Sequence, residues 1–395
     1  MKTITKGLAA VLASSALLLT ACGGTGETTA TSESTKADAA SGNAITVTDV
    51  EGRTVTFDKL PERVILSEGR GVFATSILDR EHPLDKVVGM GNDLEQADPS
   101  YYDNFKKAVP ELADVTTIGN MNHGDVTVEN LLALNPDVVV MSADAYKTSG
   151  TNGLLQKLDD AKIKYVVTDF RQHPLENTTK SVEMLGTVLG KEDKAKEFTK
   201  EWTDKVNTVK ERVEKLNDRP STFVWRAAGL KECCSTVNDS NLGEMINLAG
   251  GDNLGDHLVD GPSGSVTAEQ LIASQPAAII ATGGSWAPDK DKPEVVPHVE
   301  LGYNSDPETA QKTLQGLLAT PGFEELKAPK DDEFFAVWHQ FYDSPLNYIA
   351  IEQFAKWLHP DEFKGLDPEK DLKEAHKKYV AFDETGVFFV KDNQK

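Results

Sequence analysis

Residues 191–217 read KEDKAKEFTKEWTDKVNTVKERVEKLN, and this stretch decides the fold. Apolar side chains recur in it every three or four positions, at Phe198, Trp202, Val206, Val209, Val213 and Leu216. This spacing places them on one face of an α-helix, while lysines and glutamates fill the other positions. The pattern predicts one helix over 191–217, roughly 40 Å long at 1.5 Å per residue. The sequence Asn217-Asp218-Arg219-Pro220 then ends it.

Short apolar, largely β-branched runs separated by helical patterns lie on both sides of this helix. They occupy residues 63–66, 87–89, 137–141, 164–167, 222–225, 277–280 and 334–338. Strands that alternate with helices are typical of parallel α/β units. Alternating residues at 45–48 and 54–57 predict a β-hairpin before the first unit. We therefore predict an α/β protein with an N-terminal lobe at 45–190, an interlobe helix at 191–217 and a C-terminal lobe at 218–395.

The sequence contains an internal repeat. Residues 126–140 (VTVENLLALNPDVVV) match residues 266–280 (VTAEQLIASQPAAII) in residue type without a gap. In each copy a threonine takes a helix N-cap position, and Gln270 is placed to complete a capping box in the second. The match indicates two related lobes, or a chance similarity between two copies of a common helix-proline-strand unit.

The N-terminus carries a targeting signal. Lys2 and Lys6 precede an apolar stretch at 8–19, which has the length of a secretory signal and is too short for an anchor helix. The segment ends in LTACG at 19–23, which resembles a bacterial lipobox, so we expect a signal peptide at 1–21 and lipid on Cys22. The alternative is a plain signal peptide with a chance cysteine. Residues 22–44 are rich in Gly, Ser, Thr and Ala, which predicts a flexible tether.

Composition excludes several classes of protein. Asp and Glu number 63 against 41 Lys and Arg, which gives a formal net charge of −22. Such acidity argues against nucleic-acid binding. Three cysteines are too few for a disulfide-rich scaffold or a multi-cysteine zinc site. No GxSxG, SxxK, GxxxxGK[ST] or GxGxxG motif is present in the sequence, which disfavours an enzyme.

Arginines follow predicted strands at three places. The chain holds eight arginines, and Arg70, Arg171 and Arg226 each come just after a strand. Ligands of open α/β sheets bind beyond the carboxyl ends of the strands. The guanidinium fork suits carboxylates and other anionic oxygens, so these arginines are candidate ligand-binding residues. The alternative is that each pairs with a nearby acid of this acidic protein.

Aromatic residues occupy the same kind of position. Tyr146, Trp286 and Tyr342 follow other strands and could stack on a flat ligand, although each is equally suited to packing. His339 directly follows the run 334–338. The histidines are otherwise scattered, and we expect no bound metal ion.

Cys233 and Cys234 are adjacent. Outside the cytoplasm we consider a disulfide between them, two structural thiols, or a contact to a soft metal. Neighbouring Cα atoms lie ~3.8 Å apart across a trans peptide, below the usual range for a disulfide.

The chain resembles the substrate-binding lipoproteins of ABC importers, and within them the iron-siderophore, heme and cobalamin type. Its specific marks are DFRQHP at 169–174, the Cys233-Cys234 pair, WHQFYDSP at 338–345 and AKWLHP at 355–360; PERV at 61–64, NPDVV at 135–139, NLGEM at 241–245 and AGGDN at 249–253 add to them. The resemblance implies two Rossmann-like lobes joined by one rigid helix, with a ligand cleft between the lobes. It also implies that acidic side chains on the outer faces dock on the permease, for which Glu129 and Glu269 are candidates from the internal repeat. A glutamate in a first helical turn also suits the helix dipole without a partner.

The expected function is a non-enzymatic, lipid-anchored receptor on the extracytoplasmic face of the cell membrane. It would bind a ferric siderophore as a monomer and deliver it to the permease and ATPase of an ABC importer. Iron would be present as part of the transported complex, and no cofactor is expected. Heme or cobalamin is the alternative ligand, with His339 or Tyr342 as an axial group for heme. A lipid-anchored extracellular hydrolase is the alternative from another class.

Overall fold

The computed structural model describes residues 44–230, 233–286 and 298–393. The predicted signal peptide, Cys22 and the predicted tether up to residue 43 lie outside the described residues.

The first lobe precedes the long helix. Its strands are β1 (Ile45–Thr48), β2 (Thr54–Phe57), β3 (Val64–Leu66), β4 (Val87–Met90), β5 (Thr116–Thr117), β6 (Val138–Ser142) and β7 (Tyr165–Thr168). Its helices are α1 (Val72–Leu78), α2 (Leu94–Ala97), α3 (Pro99–Ala108), α4 (Val128–Leu132), α5 (Ala143–Thr151), α6 (Leu154–Asp160) and α7 (Pro174–Leu189). Strands β1 and β2 pair antiparallel, which confirms the predicted hairpin.

The long helix, α8 (Glu192–Val213), confirms the predicted apolar face. Phe198, Trp202 and Val206 are buried, as are Val209 and Val213. The prediction that the helix reaches Asn217 is wrong by about one turn. After Val213 the backbone leaves the α-helical hydrogen-bond pattern. The N–H of Lys215 bonds to the carbonyl oxygen of Arg212, three residues back, and not to that of Glu211, four residues back. Leu216 is only half-buried, so its packing does not hold the last turn in the helix.

The second lobe follows α8. Its strands are β8 (Ser221–Trp225), β9 (Ser235–Val237), β10 (Asp252–Asn253), β11 (Ser263–Ser265), β12 (Ala278–Gly283), β13 (Gly302–Tyr303), β14 (Phe334–Trp338), β15 (Gly386–Val387) and β16 (Phe389–Lys391). Its helices are α9 (Leu242–Leu248), α10 (Gly255–Leu258), α11 (Ala268–Ser274), α12 (Pro307–Gly316), α13 (Tyr348–Leu358) and α14 (Pro368–Tyr379). The lobe boundaries at 45–190 and 218–395 stay predictions.

Each lobe has a central, mainly parallel sheet. In the first lobe the order is β5-β4-β3-β6-β7, with every neighbouring pair parallel. In the second lobe β10, β8, β12 and β14 run parallel, and β16 adds an antiparallel edge. The chain leaves β3 toward β4 and later crosses to β6, so strand order reverses between β3 and β6. The equivalent reversal in the second sheet lies between β8 and β12, and such switch points are where α/β sheets bind ligands.

The internal repeat is visible in the structure. Thr127 caps α4 and Thr267 caps α11, each accepting a hydrogen bond from a backbone N–H of the first turn. Gln270 completes a capping box, as predicted. The helices lead into β6 and β12, which are the strands beside the two switch points. The two lobes are therefore built around equivalent helix-strand units.

Candidate functional site

A small pocket lies at the switch point of the first sheet. Leu66 at the end of β3 leads into Ser67 and Glu68, and the N–H of Ser142 donates to the Ser67 hydroxyl over 3.0 Å. This bond holds the chain segments after β3 and β6 together. The pocket is open on one side and holds about 30 Å³ of free space. Arg70, Arg171 and Asp343 are among the residues that line it.

Arg70 is buried among carboxylates. Its Nε donates to Oδ2 of Asp93 over 2.6 Å, and its Nη2 donates to Oε1 of Glu68 over 3.1 Å. Its Nη1 lies 2.9 Å from Oδ2 of Asp343. Asp93 also accepts the backbone N–H of Gly69, so it fixes both the loop and the guanidinium. The predicted alternative, pairing with nearby acids, is therefore realised for this arginine.

Arg171 lies in the same cluster. Its Nη1 donates to Oδ2 of Asp144 over 2.6 Å, and its Nη2 donates to Oδ2 of Asp343 over 2.6 Å. The same Nη2 lies 3.0 Å from Oε1 of Glu68. Asp169 is buried and accepts the backbone N–H groups of residues 171–173, which shapes the turn after β7 that presents Arg171.

Tyr342 is the centre on which the three predicted arginines converge. Its hydroxyl accepts a hydrogen bond from Nη1 of Arg70. Its ring centroid lies 5.4 Å from the guanidinium carbon of Arg171 and 5.8 Å from those of Arg70 and Arg226. Arginines that lie far apart in the sequence therefore meet over one aromatic ring, as expected if the switch points of both sheets face one cleft.

Arg226 differs from the other two arginines. It follows β8, its backbone N–H donates to the carbonyl oxygen of Ser235 over 2.8 Å, and the residue is half-buried. Within the described part of the chain its guanidinium forms no ion pair.

The electrostatics of the cluster follow from burial and from the guanidiniums. Burial raises the pKa of Glu68, but Arg171 and Arg70 outweigh it and bring the pKa to about 2. Burial raises the pKa of Asp343 against the opposing effect of the same two arginines. Burial also lowers the pKa of His339 well below its ordinary value, and the charges of Arg226, Arg70 and Arg171 add to this. His339 is therefore neutral at physiological pH.

His339 and Trp286 line the second-lobe side of the cluster. Nδ1 of His339 lies 2.7 Å from the hydroxyl of Thr282, and its ring centroid is 4.5 Å from that of Tyr342 and 5.0 Å from that of Trp286. Trp286 donates from Nε1 to the carbonyl oxygen of Ala97 in the first lobe over 2.9 Å. The indole thus takes part in the contact between the lobes as well as in the wall of the site.

Tyr146 does not join the cluster. Its ring lies 6.3 Å from that of Tyr165 and 5.4 Å from the guanidinium carbon of Arg53. Tyr165 begins β7, so Tyr146 points back along its helix toward the amino-terminal end of the sheet. The structure therefore places Tyr146 in packing, away from the three arginines.

The remaining predicted residues lie elsewhere. The sulfur atoms of Cys233 and Cys234 lie against each other, and a disulfide between them stays a prediction. Glu129 and Glu269 are exposed and each is the second residue of its helix, α4 and α11. Over residues 44–230, 233–286 and 298–393, no group of three or more His, Cys, Asp or Glu side chains is placed to hold a metal ion.

Sequence reasoning missed the carboxylates of the site. Glu68, Asp93, Asp144 and Asp343 neutralise Arg70 and Arg171, yet none was predicted. A signal existed for two of them, because Glu68 precedes Arg70 by two positions and Asp343 follows Tyr342 directly. A buried arginine needs a partner of opposite charge, and the acids nearest to it in the same strand-end loops are the first candidates.

The comparisons with known proteins agree with this architecture. The model of a family described as periplasmic binding protein matches residues 88–337. The chain belongs to this family. An uncharacterized ABC transporter substrate-binding lipoprotein of Bacillus subtilis, YvrC, is 24% identical over 327 residues, which cover 81% of this chain and 95% of that protein.

Solved structures of other periplasmic binding proteins share the fold. The TroA-like periplasmic binding protein FepB of Veillonella parvula aligns with a TM-score of 0.79 at 28% identity, over 88% of this chain and 100% of that one. The molybdate-bound MolA of Haemophilus influenzae aligns with a TM-score of 0.62 at 19% identity, over 86% of this chain and 99% of that one.

This periplasmic binding protein is the substrate-binding component of an ABC importer, so its partner is a permease. The family is a class of receptors rather than of enzymes. No helix in the described part of the chain combines the length and hydropathy needed to cross a membrane.

Proposed function

We propose that this periplasmic binding protein is a lipid-anchored receptor that captures a ferric siderophore outside the cytoplasm and delivers it to its permease. The observation that carries the proposal is the convergence of Arg70, Arg171 and Arg226 around the ring of Tyr342. The motifs at 169–174 and 338–345, which resemble iron-siderophore receptors, supply two of these residues.

The chemistry of the cluster suits an iron chelate. Catecholate and carboxylate groups that hold ferric iron carry negative charge, and guanidiniums bind such oxygens with charge-assisted, often bidentate hydrogen bonds. Tyr342, Trp286 and His339 provide ring faces and edges for a flat chelate. Iron enters as part of the transported cargo, and the protein needs no resident cofactor.

Heme is the second candidate because of His339. Neutral imidazole ligates iron, and burial keeps His339 neutral. Its Nδ1 lies against Thr282, so Nε2 is the nitrogen available to a ligand. Tyr342 lies beside it as an alternative axial group.

An absorption spectrum separates these candidates. The protein would be purified from iron-starved cells together with its bound solute. A broad visible charge-transfer band is the expected result for a ferric catecholate or hydroxamate, whereas a Soret band indicates heme. A colourless protein that fails to bind any ferric chelate on titration would contradict the proposal.

Anchoring needs its own experiment. A Cys22→Ser variant should lose lipid labelling and move from the membrane fraction to the soluble extracytoplasmic fraction, while its ligand affinity stays the same. Retention of the variant on the membrane would mean that Cys22 is not the anchor. Sedimentation of the lipid-free protein tests the expected monomer.

A further inference from the structure

Two residues of the second lobe reach into the arginine cluster of the first. Asp343 places Oδ2 2.6 Å from Nη2 of Arg171 and 2.9 Å from Nη1 of Arg70. Beside it, Tyr342 accepts a hydrogen bond from Arg70. Both belong to the 3-10 turn His339–Asp343 that follows β14, and both are buried. One carboxylate oxygen thus bridges two guanidiniums across the cleft.

The other acids of the cluster come from the first lobe itself. Glu68, Asp93 and Asp144 belong to segments after β3, after β4 and in α5. Their bonds to Arg70 and Arg171 are internal to one lobe, so separation of the lobes leaves them in place. The bonds of Asp343 are different, because they form only when the two lobes meet.

The free space in the pocket beside these groups is small. The pocket at the cluster encloses about 30 Å³, whereas a ligand of drug-like size occupies a site of roughly 300–1,000 Å³. Oδ2 of Asp343 occupies a position from which one anionic oxygen contacts Arg70 and Arg171 together.

We propose that Asp343 is a built-in competitor of the ligand: its carboxylate takes the place of a ligand anion between Arg70 and Arg171, holds the lobes together without ligand, and is displaced on binding. This inference rests on the proposed function in one respect, namely that the ligand is anionic. A chelate with several anionic oxygens on a rigid frame displaces Asp343 effectively, because it offers each guanidinium its own acceptor where Asp343 offers one shared oxygen. A neutral chelate has no such advantage.

The test is Asp343→Asn, which keeps the shape and removes the charge. The probe is the ferric complex of a hexadentate tris-catechol chelator, titrated by quenching of tryptophan fluorescence. Loss of a competing charge-assisted bond should tighten binding about 10-fold or more. Asp343→Ser is a second neutral substitution with the same expectation, for use if the asparagine variant does not fold. A neutral ferric trihydroxamate serves as the second probe and should bind the wild type more weakly.

The matched control is Asp144→Asn. It removes the same charge from the same guanidinium, over the same 2.6 Å, but from within the first lobe. Hydrogen exchange of the ligand-free proteins gives a readout that does not depend on any ligand. Residues 339–347 should exchange faster in Asp343→Asn than in the wild type and at the wild-type rate in Asp144→Asn.

The outcomes separate the two proposals. Suppose that the wild type binds the ferric catecholate. The competitor role is then overturned if the neutral substitutions at Asp343 weaken binding, or if they change neither the affinity nor the exchange rate. If the wild type binds neither ferric complex but exchange in 339–347 still rises in Asp343→Asn, the ferric-siderophore proposal fails and the closing contact stands. If Asp144→Asn tightens ligand binding and speeds exchange of residues 339–347 as much as Asp343→Asn does, the effect comes from the loss of any nearby negative charge. That result would overturn the specific role of Asp343.

Discussion

Nδ1 of His173 in the first lobe lies 2.7 Å from Oε1 of Glu244, in helix α9 of the second lobe. The contact is part of a wider junction, because Asn241 donates from its backbone N–H to the carbonyl oxygen of Gln172 and from Nδ2 to that of Arg171. The turn that carries Arg171 is therefore fixed to the second lobe on both its main chain and its side chains. The backbone of this turn is therefore tied to the second lobe, whereas Asp144 and Glu68 of the first lobe hold the guanidinium itself.

The His173–Glu244 pair should make stability pH-dependent. The hydrogen bond that His173 donates to the carboxylate of Glu244 raises the pKa of His173 above its ordinary value. The pair therefore stabilises the folded protein below pH ~6.5 and loses that effect as pH rises through the folded-state pKa. The side chain of His173 is 56% exposed, so the effect is at most about 1 kcal/mol. Urea unfolding should find His173→Gln less stable than the wild type at pH 5.5 and equally stable at pH 8.5. A difference of the same size at both pH values would contradict the assignment.

Arg226→Ala should weaken ligand binding without weakening the fold. Loss of a desolvated, charge-assisted bond costs about 1.5–3 kcal/mol, which is roughly 10- to 150-fold in affinity. Among the described residues, removal of Arg226 strands no buried carboxylate, whereas removal of Arg70 strands those of Glu68, Asp93 and Asp343. Arg171→Ala should weaken binding as well, and Lys147→Ala, on the exposed surface of α5, is the control that should not. Unchanged affinity in alanine variants of all three arginines would rule out an anionic ligand at this site.

Glu352 should limit stability at alkaline pH. It lies in α13, its side chain is 1% exposed, and Nζ of Lys205 in α8 is 3.4 Å from Oε1. Burial outweighs Lys205 and raises its pKa to about 8. The folded protein therefore binds this proton more tightly than the unfolded chain does. As a result, the free energy of unfolding falls as pH rises from ~4.5 toward 8.

Glu352→Gln should therefore match the wild type at pH 5 and exceed it at pH 9 by roughly 1–3 kcal/mol in urea unfolding. Glu374→Gln, at an exposed position in α14, is the control and should follow the wild-type profile. A glutamine variant at 352 that is less stable than the wild type at pH 9 would mean that the ion pair with Lys205 outweighs the cost of burial.

Glu129→Arg combined with Glu269→Arg should abolish uptake and leave ligand titrations unchanged. The two glutamates are exposed and equivalent in the internal repeat, as expected for a two-fold permease that meets one lobe with each subunit. Exposed charges of this kind act on association more than on a distant site.

A matched control distinguishes docking from helix capping. Glu308 is also the second residue of a capped helix, α12, and is exposed, but it lies outside the repeat. Glu308→Arg disturbs the helix dipole in the same way and should leave uptake intact. Normal uptake by the double variant would leave Glu129 and Glu269 with a capping role alone.

Local patterns determined much of this protein from the sequence. The buried face of α8, the hairpin of β1 and β2, the two copies of the helix-proline-strand unit and the alternation of strands with helices all follow from periodicity and capping, which act over a few residues. Because parallel strands end at a common edge, the positions of Arg70, Arg171 and Arg226 directly after strands also identified them as a group.

Tertiary structure alone decided which carboxylates form ion pairs with those arginines. Asp343 lies 172 positions from Arg171 in the chain, and hydrophobic periodicity carries no information about which charges meet across a cleft. Tyr146 is the opposite case. Its position after β6 in the sequence predicted a place in the ligand site, but its position along α5 directs its ring toward Tyr165. The sequence determined the fold and the residues available at the strand ends, since local interactions specify them. Which carboxylates neutralise the guanidiniums was settled only by closure of the two lobes, since buried charges take whichever partner the packing brings within hydrogen-bond distance.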